Sequence, residues 1–154
     1  MRRILLLLGA MLAATALAAP LPYDASADAK ADVARALAAA RMSGVPVLVI
    51  LGANWCEDCR ALDQALTTGR SAALIADAFK VVKVDVGRFD RNLDVDAAYG
   101  HPIGKGIPAA VVLSPDNRVL YATRGGELAD ARRMSETGIY DFFARVSRSV
   151  ATRR

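Results

Sequence analysis

Two cysteines separated by two residues constrain the fold of this chain more than any other feature. Cys56 and Cys59 follow residues 45–51, an apolar run rich in β-branched residues that predicts a strand buried on both faces. A helical pattern begins at the cysteines and continues through Leu62 and Leu66. The pair is therefore expected at the junction between a buried strand and the N-terminus of a helix.

This placement favours redox chemistry. Residues three apart at a helix start lie on the same side of the helix, so the two sulfurs can meet in disulfide geometry. The unpaired N–H groups and the dipole of a helix N-terminus favour an anion. We therefore expect Cys56 to be the thiolate that attacks a disulfide, and Cys59, one turn further in, to resolve the mixed disulfide. Such a pair is its own redox centre, so we expect no cofactor and no metal.

Three other interpretations of the pair are possible from the sequence. A zinc site needs about four ligands, whereas the chain has two cysteines and one histidine. An inert structural disulfide would close a loop of only two residues and so constrain the unfolded chain very little. Copper(I) binds two thiolates well. A copper or apoprotein thiol chaperone that holds its cargo without turnover is therefore the main alternative function.

The N-terminus has the pattern of an export signal. Arg2 and Arg3 precede an apolar stretch at residues 4–12, and Ala16-Leu17-Ala18 supplies a small-x-small cleavage site. We expect residues 1–18 to be a signal peptide and the mature protein to act as a monomer in the periplasm. The formal net charge of +4 is too small to indicate a nucleic-acid partner, and we expect none.

The rest of the chain is predicted to be one α/β domain. With 54% hydrophobic and 23% charged residues, the composition excludes a disordered chain. After a lead at residues 19–27, the domain is expected over 28–150 in the order α-β-α-α-β-α-β-β-α. Helices are predicted near 28–42, after the cysteines, and at 71–79, 93–99 and 139–150. Strands are predicted at 45–51, 80–86, 109–113 and 119–123, with a β-turn at 114–117.

Several of these segments together resemble the thioredoxin family, over about residues 44–148. The resemblance rests on Ala53-Asn54-Trp55-Cys56-Glu57-Asp58-Cys59, Val81-Val82-Lys83-Val84-Asp85, Tyr99-Gly100 and Gly106-Ile107-Pro108. It implies a thioredoxin fold, in which a central mixed sheet is flanked by helices. It also implies a cis bond between Ile107 and Pro108 beside the cysteines, which only an X-Pro bond makes inexpensive.

The resemblance further implies where a protein substrate binds. In the family, the backbone of the Ile107-Pro108 loop receives the substrate peptide like an added strand. Gly126 matches the family's glycine near the active site, and Trp55 matches the tryptophan that flanks the nucleophile. The alternative for Trp55 is a plain core aromatic. The expected partners are therefore protein thiols and disulfides.

The chain departs from the family at the position of a buried acid. Cytoplasmic thioredoxins carry this acid in the strand before the cysteines, where the chain has Ile50, so Lys83 loses the partner that the family gives it. Glu57, Asp58 or water could take over proton transfer, or the two acids are merely residues favoured in a first helical turn. Their negative charges oppose a thiolate at Cys56 and would lower the reduction potential by ~20 mV.

This charge pattern predicts a reductant or an electron relay rather than a strong oxidase. Between Asp85 and Pro108 there is no room for the helical domain of the periplasmic oxidases, nor before residue 45 for the dimerisation domain of disulfide isomerases. A periplasmic reductant needs a membrane-bound electron donor, because that compartment has no reducing buffer.

Residues 101–105, which include His101 and Lys105, are either a plain surface loop or part of the substrate groove.

Overall fold

The apolar run before the cysteines forms the central strand of the sheet, β1 (Val47–Gly52), and every residue of it is buried. The computed structural model describes residues 20–153. β1 pairs in parallel with β2 (Lys80–Asp85) and antiparallel with β3 (Ala109–Leu113), which pairs antiparallel with β4 (Val119–Ala122). The order β2-β1-β3-β4 is the mixed sheet that the sequence predicts.

The α-helices flank this sheet as expected. α1 packs on β1 and β2, whereas the second, third and last helices pack on one another. The bounds are α1 (Ala29–Ser43), α2 (Glu57–Thr67), α3 (Gly69–Ala78), α4 (Leu93–Ala98) and α5 (Glu136–Ala151). The predicted thioredoxin fold is confirmed. Within residues 20–153, no helix has both the length and the apolar character needed to cross a bilayer.

Side-chain caps explain where the helices begin. Asp28 accepts a hydrogen bond from the Ala31 N–H at 3.0 Å, so α1 starts as the sequence predicts. α5 starts three residues earlier than the predicted residue 139. Ser135 caps it by accepting from the Gly138 N–H at 3.0 Å, and the helix therefore includes a polar first turn that the apolar periodicity does not mark.

The segment at residues 101–105 is held against α4. It contains a 3₁₀ helix, Pro102–Lys105, whose Pro102 and Ile103 are buried. The buried carboxylate of Asp96 accepts from the Ile103 N–H at 3.1 Å, and its other oxygen lies 2.9 Å from His101 Nδ1. The segment is therefore packed onto the fold through Pro102 and Ile103, while His101, Gly104 and Lys105 are exposed.

The lead before α1 also joins the hydrophobic core. Tyr23 is buried, and its backbone is bonded twice to the side chain of Asn54. Its N–H donates to Asn54 Oδ1 at 3.0 Å, and Asn54 Nδ2 donates to its carbonyl oxygen at 2.7 Å. Asn54 stands two residues before Cys56, so the lead is fixed to the cysteine loop. The predicted signal peptide, residues 1–18, lies outside the described residues.

Candidate active site

Cys56 is the N-cap of α2, and its sulfur takes the place of a capping oxygen. Its backbone is extended, with φ −80° and ψ 114°, and Sγ accepts a hydrogen bond from the Cys59 N–H at 3.1 Å. The two cysteines form a disulfide with their Cα atoms 5.2 Å apart. The predicted redox pair is thus confirmed as a disulfide at a helix N-terminus, where a thiolate released from Cys56 would be stabilised.

The two sulfurs differ in accessibility. Cys56 is 5% exposed, whereas Cys59 is completely buried. A large thiol or disulfide partner can therefore reach only the Cys56 side of the pair. This difference supports the assignment of Cys56 as the attacking cysteine and Cys59 as the resolving one.

The loop before β3 lies directly beside Cys56. The carbonyl oxygen of Ile107 is 3.6 Å from Cys56 Sγ, and the Ile107–Pro108 peptide bond is cis. The side chain of Ile107 is buried. What this loop presents next to the reactive sulfur is therefore backbone.

Trp55 belongs to the surface around the site. It is 46% exposed, so the alternative of a core aromatic is wrong. Its indole Nε1–H donates to the Gly87 carbonyl oxygen at 2.7 Å, and its ring meets the exposed ring of Phe89 edge-on at 6.2 Å. The Arg88 guanidinium lies 5.7 Å from the indole centroid. Trp55, Phe89 and Arg88 therefore form an aromatic and cationic surface next to the cysteines.

Gly126 lies against the backbone of the segment that leads to Ile107 and Pro108. Its φ of +80° lies in the left-handed region, and a Cβ added there would come within 2.9 Å of the Lys105 carbonyl oxygen. Lys105 immediately precedes Gly106 and Ile107. What the structure shows for Gly126 is therefore a close backbone approach that fixes the loop beside Cys56.

The two acids between the cysteines share one arginine. Arg132 Nη1 donates to Glu57 Oε2 at 2.8 Å, and the Arg132 backbone N–H donates to Asp58 Oδ1 at 3.0 Å. Arg132 lies on a second 3₁₀ helix, Ala131–Arg133. From the sequence alone, both acids are expected to be uncompensated charges. The structure corrects this, because one positive charge offsets part of their effect on Cys56.

Lys83 has an acidic partner despite the loss of the strand acid. Ile50 and Lys83 are register partners on β1 and β2, and Lys83 Nζ forms an ion pair with Asp63 Oδ1 of α2. Asp63 stands four residues after Cys59, so it lies on the same face of α2. Neither Glu57 nor Asp58 faces Lys83, since both are engaged by Arg132.

Four residues of this site were not predicted as site residues: Tyr23, Asn54, Asp63 and Arg132. Two of them carry a local signal, since Asn54 stands in the motif that precedes Cys56 and Asp63 stands four residues after Cys59 on a predicted helix. Tyr23 and Arg132 come from distant parts of the chain and reach the cysteines only through packing. In the part of the chain that the structure describes, no group of three or more His, Cys, Asp or Glu side chains could hold a metal ion.

Comparison with known proteins agrees with this fold and site. Residues 28–115 match the family described as thioredoxin-like. The chain is also similar to a disulphide isomerase from Xylella fastidiosa Temecula1, with 57% identity over 84% of this chain and 99% of that one, at a TM-score of 0.83. No curated protein shows significant similarity to the chain.

More distant solved structures share the fold. They include the C-terminal domain of DsbD from Neisseria meningitidis, with 18% identity over 77% of this chain and 96% of that one, at a TM-score of 0.57. A thioredoxin from Thermus thermophilus has 20% identity over 77% and 82% of the two chains, at a TM-score of 0.54. The chain belongs to the thioredoxin-like family. With its Cys56–Cys59 disulfide it is a thioredoxin-like disulfide oxidoreductase.

Replacing Gly126 tests whether its close approach fixes the proline loop. We expect Gly126→Ala to lose about 1–3 kcal/mol of unfolding free energy, because alanine is strained at this φ and would press on the Lys105 carbonyl. Urea denaturation measures this loss. Gly125→Ala is the control, since a Cβ there meets nothing closer than 3.8 Å. Equal losses in the two variants would contradict the packing role.

Replacing Arg132 tests its effect on the redox pair. We expect Arg132→Ala to make the reduction potential more negative by about 20 mV, because the acids then oppose the Cys56 thiolate without the positive charge bonded to them. Equilibration with glutathione buffers followed by alkylation of free thiols measures the potential.

Arg133→Ala is the matched control for this prediction. It removes the same charge from the same 3₁₀ helix, but Arg133 faces Asp130 at 3.8 Å instead of the acids between the cysteines. An unchanged potential in Arg132→Ala, or an equal shift in both variants, would show that the arginine does not act through Glu57 and Asp58.

Proposed function

We propose that this protein reduces disulfides of protein substrates in the bacterial envelope, or relays electrons to proteins that do so. The observation that carries the proposal is the position of Cys56 Sγ, which accepts the Cys59 N–H at the helix N-terminus and stands 3.6 Å from the Ile107 carbonyl oxygen. A thiolate stabilised by the helix N-terminus, beside the backbone of the proline loop, suits attack on a peptide disulfide.

The reaction proceeds through a mixed disulfide. The Cys56 thiolate attacks one sulfur of the substrate disulfide, and the other substrate sulfur leaves with the electron pair. Cys59 then attacks Cys56 Sγ, which re-forms the enzyme disulfide and releases the second substrate thiol. The backbone at Ile107 and Pro108 aligns the substrate strand, and Trp55 contacts its flank.

The charges around Cys56 support a reductant rather than a strong oxidase. Glu57 and Asp58, which directly follow Cys56, bring two negative charges that disfavour its thiolate and with it the reduced form, which makes the pair a better electron donor. Arg132, bonded to both acids, and Arg60, which ends the same turn and donates to the Asn54 carbonyl oxygen at 2.9 Å, offset part of this effect. A donor of electrons in the envelope must itself be reduced, and we propose a membrane-bound partner for this step.

Two observations support a place in the envelope. The N-terminal sequence has the pattern of a signal peptide at residues 1–18. The relative at 57% identity is named a disulphide isomerase. Isomerase activity is therefore the second candidate function, since it uses the same attack by Cys56 but releases the substrate before Cys59 resolves the intermediate. We propose that the protein acts as a monomer.

Insulin reduction with dithiothreitol as electron source tests the proposed activity. We expect the wild-type protein to accelerate the reaction beyond dithiothreitol alone, Cys56→Ser to give no acceleration, and reduced Cys59→Ser freed of dithiothreitol to trap a mixed disulfide with insulin. These outcomes follow because the first variant lacks the nucleophile and the second lacks only the resolving thiol. A protein that binds copper(I) tightly and shows no turnover would instead be the thiol chaperone.

The reduction potential of the Cys56–Cys59 pair distinguishes a reductant from a strong oxidase. We expect a value more negative than about −200 mV, on the side of thioredoxin and far from the roughly −120 mV of a strong periplasmic oxidase. A value near the oxidase would contradict the proposed role as a reductant. Rescue of scrambled ribonuclease by the wild type, without net reduction, would favour the isomerase.

A further inference from the structure

A buried tyrosine from the N-terminal lead lies near the resolving cysteine. Tyr23 is 3% exposed, although it stands 36 residues before Cys59 in the chain. The two hydrogen bonds between its backbone and the Asn54 side chain hold it in place. Its ring therefore enters the core at the base of the cysteine loop.

The surroundings of Gly52 show that the Tyr23 hydroxyl and Cys59 Sγ lie near each other. A Cβ built on Gly52, the last residue of β1, would overlap the Tyr23 hydroxyl and ring and lie 3.0 Å from Cys59 Sγ. The hydroxyl and the sulfur thus both lie against Gly52, around the position that its Cβ would take. A larger residue than glycine at this position would expel the phenol from the site.

The surroundings of Tyr23 keep its hydroxyl protonated. Burial, then the negative charges of Asp63 on α2 and Asp85 on β2, raise the pKa of Tyr23 well above its ordinary value. Lys83 of β2, paired with Asp63, lines the same cavity of about 160 Å³ as Tyr23. A phenol that keeps its proton can donate a hydrogen bond but cannot serve as a base.

We propose that Tyr23 is a positioning residue for Cys59, whose sulfur receives the hydrogen bond of the Tyr23 hydroxyl whenever the disulfide is open. The inference deepens the proposed function, on which it rests for the catalytic meaning of Cys59. The inference makes the N-terminal lead part of the redox site. In this chain Ile50 stands where cytoplasmic thioredoxins carry a buried acid.

The hydrogen bond acts on the resolving step. Cys59 loses its proton to water, and its thiolate attacks Cys56 Sγ of the mixed disulfide. The Cys56–Cys59 bond forms, the bond from Cys56 to the substrate sulfur breaks, and the substrate leaves as a thiolate that takes up a proton from water. Tyr23 keeps its own proton throughout, and its donated hydrogen bond favours the ionised form of Cys59.

Tyr23→Phe removes only the donor and leaves the ring to fill the core. In a Cys56→Ala background labelled with ¹³C at the cysteine Cβ, NMR titration reports the pKa of Cys59 directly. We expect Tyr23→Phe to raise this pKa by about 1–2 units, which is the usual strength of a hydrogen bond to a charged group. An unchanged pKa would overturn the proposal.

The pH profile of the resolving step gives a second readout. Reduced protein mixed with Ellman's reagent releases one thionitrobenzoate when Cys56 attacks and another when Cys59 resolves. At neutral pH we expect the second phase to slow about 3- to 12-fold in Tyr23→Phe, since fewer Cys59 thiols are ionised and the more basic thiolate compensates only in part. At high pH, where Cys59 is ionised in both proteins, the difference should vanish or reverse.

Tyr99→Phe is the matched control. Tyr99 is also buried, but its hydroxyl bonds to Asn117 Oδ1 at 3.1 Å. We expect this variant to leave both the Cys59 pKa and the second phase unchanged. An equal slowing in both variants at every pH would mean a general loss of packing and would overturn the proposal.

A complementary change strengthens the donor in case Tyr23→Phe fails to fold. Replacement of Tyr23 by 3,5-difluorotyrosine makes the hydroxyl more acidic, and we expect the Cys59 pKa to fall. A rise or no change would contradict the inference. Both titrations remain informative if the wild type shows no insulin turnover, so failure of the proposed function and failure of this inference are distinguishable.

Discussion

The hydrogen bond from the Cys59 N–H to the Cys56 sulfur is the interaction on which the rest of the site depends. It exists because β1 delivers the chain to the start of α2 with Cys56 at the N-cap, where a polar atom must satisfy a free N–H group. A sulfur in that role is held ready for attack, and its neighbour one turn on is held within reach. The buried strand and the helix thus build the reactive pair together.

Three distant segments then complete the environment of the pair. The Ile107 carbonyl lies beside Cys56, Arg132 binds the acids between the cysteines, and Tyr23 enters beneath Cys59. In the proposed mechanism each segment acts on a different property: access of a substrate strand, charge near the nucleophile, and ionisation of the resolving thiol. The Lys83–Asp63 pair adds a polar lining to the cavity that Tyr23 shares.

The sequence predicted the elements of the fold well because their signals are local. The apolar run of β1, the Asp28 cap of α1 and the turn at 114–117 each depend on a few neighbouring residues. The start of α5 was missed by three residues, since Ser135 caps a polar turn outside the apolar pattern. The compensating charge at Glu57 and Asp58 was missed for the same kind of reason, because Arg132, which binds both acids, is remote from them in sequence.

The sequence by itself determined the order of strands and helices and the chemistry of the Cys56–Cys59 pair, because periodicity, caps and a two-residue spacing act over single turns and strands. Only the tertiary structure decided which side chains surround that pair. Arg132, Asp63 and Tyr23 owe their places to packing against the sheet and α2, and a contact between remote segments leaves no trace in either segment alone. The electrostatic setting of the two sulfurs is therefore a property of the folded chain.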